Sequence, residues 1–165
     1  MAASKIISAT DLALHSKQCA SAGRVLVFTN GCFDLLHVGH VRYLQAARSR
    51  GDFLAVAVNG DDSVRALKGP SRPINAELAR AEVLAALACV DFVVLFHAPR
   101  VTDLIHTIRP QLYVKGGDYT VEALDPGEKQ ALDEVGAKIE ILELVPGKST
   151  TAVIHRLSAT PSTPV

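Results

Sequence analysis

Three observations predict an α/β fold, an open and mostly parallel five-stranded sheet covered by helices on both faces. Strand-like and helix-like segments alternate along the chain. Phe53-Leu-Ala-Val-Ala-Val58 and Phe92-Val-Val-Leu-Phe96 are unbroken apolar runs, the pattern of strands buried on both faces. Each polar, glycine-bearing segment follows directly on a strand, at the sheet edge where such folds bind ligands.

Taken in order, Ser8-Ala-Thr-Asp11 has capping-box character and opens a helix ending near Gly23, so 1–23 reads as a helical extension. Val25-Leu-Val-Phe28 predicts a strand at 24–28. The helical pattern Tyr43-Leu-Gln-Ala-Ala-Arg48 predicts a helix over 38–50. Further strands are expected at 53–58, 91–95, 111–114 and 138–144, and further helices at 76–88, 101–108, 127–135 and 150–157. Residues 59–72, rich in Asn, Gly, Asp and Pro, read as a loop. Residues 1–157 form one domain, and the small, polar, proline-bearing tail 158–165 is expected to fray.

Composition narrows the function. The 165 residues carry 17 basic and 17 acidic side chains, so no charge footprint argues for nucleic acid or an anionic membrane. No apolar run approaches the roughly 18 residues of a membrane span, and the N-terminus lacks a signal-peptide pattern. A cytoplasmic protein is expected. Cys19, Cys32 and Cys89 have no C-x-x-C spacing and read as reduced thiols, neither disulfides nor a zinc site. A homodimer or higher homo-oligomer is expected on general grounds.

The segment Gly31-Cys-Phe-Asp34-Leu-Leu-His37-Val-Gly39-His40 joins the first strand to a helix start. A glycine turn lets the backbone approach an anion, and the helix N-terminus points free N–H groups at it. His37 and His40, spaced i, i+3, project to the same side. Metal ligation is the competing reading, weakened by the lack of a third ligand nearby. Cys32 lacks the partners of a nucleophile and reads as a packing or backbone residue.

Three other segments reach the same edge. Asn59-Gly-Asp61-Asp62 leads to Lys68-Gly-Pro-Ser-Arg72-Pro, whose cations suit phosphate. Arg80, inside a helix, stands evenly between a solvated face and a site role. Lys115-Gly116-Gly-Asp118-Tyr119 offers paired glycines, an acid and an aromatic. Gly147-Lys148-Ser149-Thr150-Thr151 caps the last helix and offers a second anion site, without the spacing of a Walker A loop.

These residues resemble the H-x-G-H nucleotidyltransferases of the cytidylyltransferase-like family, which share a Rossmann-like fold. Lys68-Gly-Pro-Ser-Arg-Pro-Ile-Asn75 and Lys115-Gly-Gly-Asp-Tyr119, with Val58-Asn-Gly-Asp-Asp-Ser63, Val90-Asp-Phe-Val-Val94 and Ser149-Thr-Thr151, resemble the branch that adenylylates D-glycero-β-D-manno-heptose 1-phosphate. The resemblance runs from about Arg24 to Leu157. It implies ATP and heptose 1-phosphate as partners, and Mg²⁺ carried by the nucleotide with no direct protein ligand. The implied catalytic residues are His37, His40 and Lys68. Asn30, Gly31, Cys32, Phe33, Gly39, Lys115, Gly116, Asp118, Ser149, Thr150 and Thr151 would bind nucleotide with His40. Asp34, Asn59, Asp61, Arg72 and Arg80 would serve the second substrate with Lys68. Leu144 stands where related cytidylyltransferases have an arginine, leaving Lys148 or Arg72 to supply that cation. The sugar-kinase domain fused to this activity in some bacteria is not in the sequence, so a stand-alone form is implied. The competing readings are a glycerol-3-phosphate cytidylyltransferase and a non-catalytic nucleotide-binding module.

Overall fold

Side-chain alternation along each strand divides the interior into two layers. In the computed structural model, which describes residues 2–117, 120–143, 150, 153 and 154, five strands pair in parallel. They are β1 (Leu26–Gly31), β2 (Phe53–Asn59), β3 (Phe92–Phe96), β4 (Leu112–Gly116) and β5 (Lys138–Leu142), in the order β3-β2-β1-β4-β5. Leu26 and Phe28 face one core layer with Ala55, Ala57 and Tyr113. Val27 faces the other with Leu54, Val56, Val58 and Val114. That period of two is the geometry of a pleated strand.

Helices close both faces. α1 (Ala9–Ser21), α5 (Thr102–Ile108) and α6 (Pro126–Val135) cover the first layer, contributing Leu12, Ile105 and Leu132. α2 (Val38–Arg48) and α4 (Glu77–Ala85) cover the second through Leu44, Ala47, Ala81 and Leu84. Ser8 caps α1 as its sequence pattern predicts, accepting from the Asp11 amide at 3.1 Å. The N-terminal segment is not an appendage: Leu12 and Cys19 are core residues, and Ile6 extends the sheet edge beside Val93. No helix among the described residues is long and apolar enough to cross a membrane.

The predicted order of elements holds as far as β5, with one correction. Residues Asp61–Lys68, expected within a loop, form α3. Turn-forming residues open it, which masks it in the sequence. Asp61 and Asp62 in its first turn and Arg65 and Lys68 in its last complement the helix dipole, while Ser63 and Val64 are buried. Its cap residue, Gly60, has no side chain to offer, and Glu77 of α4 accepts the Asp61 N–H instead, at 2.9 Å.

The strand ends matter for the site. β1 runs to Gly31 and β4 to Gly116, both past the predicted ends. The apolar pattern stops at Phe28 and Val114, but the backbone ladder continues: Asn30 pairs with Ala57, and Lys115 with Ile141. Polar side chains are thereby held on rigid strand at the carboxyl edge. β1 is also where the sheet order reverses, since β2 lies on one side and β4 on the other. Chain crossovers leave in opposite directions there and open a crevice.

Candidate active site

The turn after β1 holds an unusual backbone. Phe33 sits at φ 45°, in the left-handed region, which disfavours a bulky side chain. Its ring is buried in the second layer and meets His40 edge-on at 5.6 Å. Gly31 makes room for that ring, because a Cβ there would lie 3.1 Å from Phe33 Cε2. The Cys32 carbonyl, between them, accepts from Arg80 Nη1 at 2.6 Å. Packing on one side and a guanidinium on the other hold the turn in place.

The histidines come next. His37 is the N-cap of α2, its Nδ1 accepting from the Gly39 N–H at 3.1 Å. The His37 N–H in turn donates to His40 Nδ1 at 3.4 Å, closing a capping box made of two imidazoles. The rings stack with centroids 4.0 Å apart. Since both Nδ1 atoms accept from backbone, the proton that a ring carries in its neutral form sits on Nε2, as a donor. Burial, reinforced by His37, pulls the His40 pKa down to about 4, so the ring is neutral at pH 7.

Across the reversal point, Lys115 donates to Asn30 Oδ1 at 2.8 Å, and Tyr113 donates to the same oxygen at 2.7 Å. Burial draws the Lys115 ammonium below its ordinary value, with Glu128 opposing. Tyr43 of α2 bonds Thr29 at 2.8 Å and the Val114 carbonyl at 3.1 Å, pinning the helix against both strands.

Beside the turn lies a second cluster. Asp34 accepts from Arg72 Nε at 2.5 Å and from the amides of Ile74 and Asn75 at 2.8 to 2.9 Å. Burial pushes its carboxyl up, but the Asn75 and Ile74 amides and the Arg72 guanidinium outweigh it and hold the pKa below the usual range. Arg80 is wholly buried and also bonds the Asn75 carbonyl at 2.9 Å and Asp61 at 2.8 Å. The solvated-face alternative for Arg80 is thereby removed. Asn59, also buried, bonds Ser63 at 3.0 Å. Lys68 ends α3 on an exposed position. Burial raises the Cys32 thiol, and Lys68, Arg80 and Arg72 each pull against it. Three cations therefore bear on the turn.

His37, His40, Asn30, Gly31, Cys32, Phe33, Asp34 and Arg80 thus form one connected cluster, with Phe33, Asp34 and Arg80 buried beneath it and Lys115 and Gly116 adjoining. Thr150 reaches it too, donating to the Leu35 carbonyl at 3.2 Å. Asp118, Tyr119, Leu144, Lys148, Ser149 and Thr151 lie outside the described residues, as do most of the last predicted helix and the tail. Sequence reasoning missed Tyr43, Asn75, Glu77 and Tyr113. Only Tyr43 and Tyr113 carried a signal, being phenols at core-facing positions that require a polar partner. Among the described residues no three His, Cys, Asp or Glu side chains gather to hold a metal. Imidazole Nε2–H groups and the neighbouring cations form a donor set that suits anionic oxygen.

A family model described as cytidylyltransferase-like matches residues 28–156. The chain belongs to the cytidylyltransferase-like family. Among relatives of this cytidylyltransferase-like chain, the "Bifunctional protein HldE" of Syntrophotalea carbinolica is 53% identical over 135 residues, covering 82% of the chain and 27% of that protein. The protein of the same name from Geotalea uraniireducens is 51% identical over 153 residues, 93% of the chain and 31% of the relative. The chain thus spans less than a third of these relatives. A solved structure described as the lipopolysaccharide core biosynthesis protein from Thermoplasma volcanium GSS1 superposes with a TM-score of 0.62 at 28% identity, covering 74% of this chain and 98% of that one.

Proposed function

We propose that this chain transfers AMP from ATP to D-glycero-β-D-manno-heptose 1-phosphate, giving ADP-heptose and pyrophosphate. The observation that carries nucleotidyl transfer is the stacked histidine pair, both Nδ1 atoms fixed by backbone amides at the start of α2. Its Nε2–H groups are preorganised donors for charge developing on a triphosphate, the form of stabilisation that costs no reorganisation during reaction. The sugar-phosphate oxygen attacks the α-phosphorus in line and pyrophosphate leaves, with no covalent intermediate on the protein.

Residues divide by position. His37 and His40 stabilise the phosphates, and Lys68 supplies a further cation. Gly31, Gly39 and Gly116 allow close approach of the nucleotide beside Asn30, Cys32, Phe33 and Lys115. Asp118, Ser149, Thr150 and Thr151 serve the nucleotide on the strength of their motifs, and Arg72 faces the second substrate. Mg²⁺ carried by the nucleotide, with no direct protein ligand, would neutralise phosphate charge. The heptose rests on the Lys68-Gly-Pro and Lys115-Gly-Gly-Asp-Tyr119 motifs and on the likeness to the bifunctional HldE proteins.

The test is pyrophosphate release by purified protein with Mg²⁺, offering ATP or CTP against a panel of sugar 1-phosphates and glycerol 3-phosphate. Turnover is expected with ATP and the heptose phosphate. Turnover with CTP and glycerol 3-phosphate alone would sink the proposal.

A further inference from the structure

Asp34 lies too deep to meet a substrate, its side chain being 1% exposed. Yet it takes more bonds than closing a loop requires. The Ile74 and Asn75 amides, with Asn75 Nδ2 on the Asp34 carbonyl at 2.8 Å, already tie residues 74 and 75 to the turn. Arg72 adds a largely desolvated ion pair, and desolvation offsets most of what such a pair contributes to stability. Loop closure is therefore a poor account of Arg72.

What the pair does accomplish is orientation. Asp34 takes the Nε–H of Arg72 and no Nη hydrogen. Among the described residues the Nη nitrogens bond nothing else, and the side chain stays 16% exposed. The two Nη groups form the fork that suits a phosphate. The neighbouring cations differ: every nitrogen of Arg80 is spent on Asn75, Cys32 and Asp61, and Lys68 is an exposed point charge on a flexible stem.

We propose that Asp34 is a positioning residue that grips Arg72 at Nε, so that the Nη edge of the guanidinium is presented to the acceptor's phosphate beside the Gly31–Asp34 turn. Asp34 touches no substrate and acts through Arg72. The inference deepens the proposed transfer reaction and rests on it only for the acceptor's identity.

The test uses the full chain saturated with a non-hydrolysable ATP analogue, titrated calorimetrically with inorganic phosphate, so that the sugar does not enter. Four proteins are compared: wild type, Asp34→Asn, Arg72→Ala and the double variant. Asp34→Asn keeps an acceptor oxygen for the two amides but removes the charge that holds Arg72. It is expected to weaken phosphate binding roughly tenfold, the scale of one misdirected charge-assisted pair, and to leave analogue affinity within about twofold. The double variant is expected to match Arg72→Ala. Failure of wild type to bind phosphate overturns the inference, as does equal loss of nucleotide affinity or a further loss in the double variant. Should Asp34→Asn not fold, Arg72→Lys decides: wild-type phosphate affinity there shows that a point charge suffices and overturns the idea. Absence of AMP transfer to heptose 1-phosphate would defeat the proposed function and leave the phosphate result standing.

Discussion

The two ends of the sheet, about 20 Å apart along six residues of strand, are built to opposite rules. At the carboxyl end the stacked histidines, Lys115, Arg72 and the strained Phe33 turn are each fixed by packing or by bonds to protein, and among the described residues the guanidinium keeps its Nη edge unspent. At the amino end of β4 and β5, a hollow of about 640 Å³ lies between α1 and α5, lined by Ala13, Leu14, Ile108, Pro110 and Val135 among others. It is roomy and largely apolar, and of the described residues that line it Lys17 and Arg109 alone are charged, with no acid or histidine in the lining. Open space alone is a poor guide to chemistry; the end where donors are prearranged around a charge is the one that can catalyse.

Three experiments bear on that contrast. The largest effect is expected from His40→Ala, which removes one preorganised donor and should lower turnover about a hundredfold or more. The lost bond from the His37 amide is long, at 3.4 Å, so the thermal midpoint should fall only slightly. Near-normal pyrophosphate release would reduce the pair to a helix cap. The second experiment concerns pH. Because His40 titrates near 4 when folded, against an ordinary 6.5, the unfolded chain binds more protons between those values. Stability should therefore be highest above pH 6.5 and fall towards pH 4. Urea midpoints across that range should fall less in His40→Ala than in wild type, and identical slopes would refute a buried neutral imidazole. The smallest effect is expected from Leu14→Ser at the hollow. Leu14 is 55% exposed, so stability should stay within about 0.5 kcal/mol and turnover within about twofold. A large loss of turnover would make the amino end part of the site.

Much of the fold is legible because its signals are local and repeated. Apolar runs mark β2 and β3, and Ser8 with Asp11 marks the start of α1. The shared edge is legible for the same reason: Asn30, His37 and Lys115 follow directly on strand patterns. What resists reading is whatever depends on distant partners. α3 is eight residues long, and its N-terminus is capped by Glu77, sixteen positions away. Arg80 looks amphipathic in its own helix, and its burial is explained by the Cys32 carbonyl, 48 residues earlier, together with Asp61 and the Asn75 carbonyl. Asp34 enters as a candidate ligand only through the resemblance of its motif to the family. That it faces inward follows from Arg72, Ile74 and Asn75, whose approach depends on how α3 and α4 pack.

The reversal of strand order at β1 also bears on how the molecule is assembled. Everything from β1 to β3, with α2 and α4, is a continuous stretch of chain that lies on one side of β1. β4 and β5 are made later and pair into the sheet through β1 alone, Val27 with Leu112 and Phe28 with Tyr113. Tyr43, Tyr113 and Lys115 stitch that seam from opposite sides of the chain, over separations of 71 to 85 residues. A nucleotide held by the β1 turn and the end of β4 would be one more stitch, present only in the finished protein. Such a ligand stabilises the union of the two halves in proportion to its occupancy, and a newly made chain would gain that clasp only once its second half had emerged and docked.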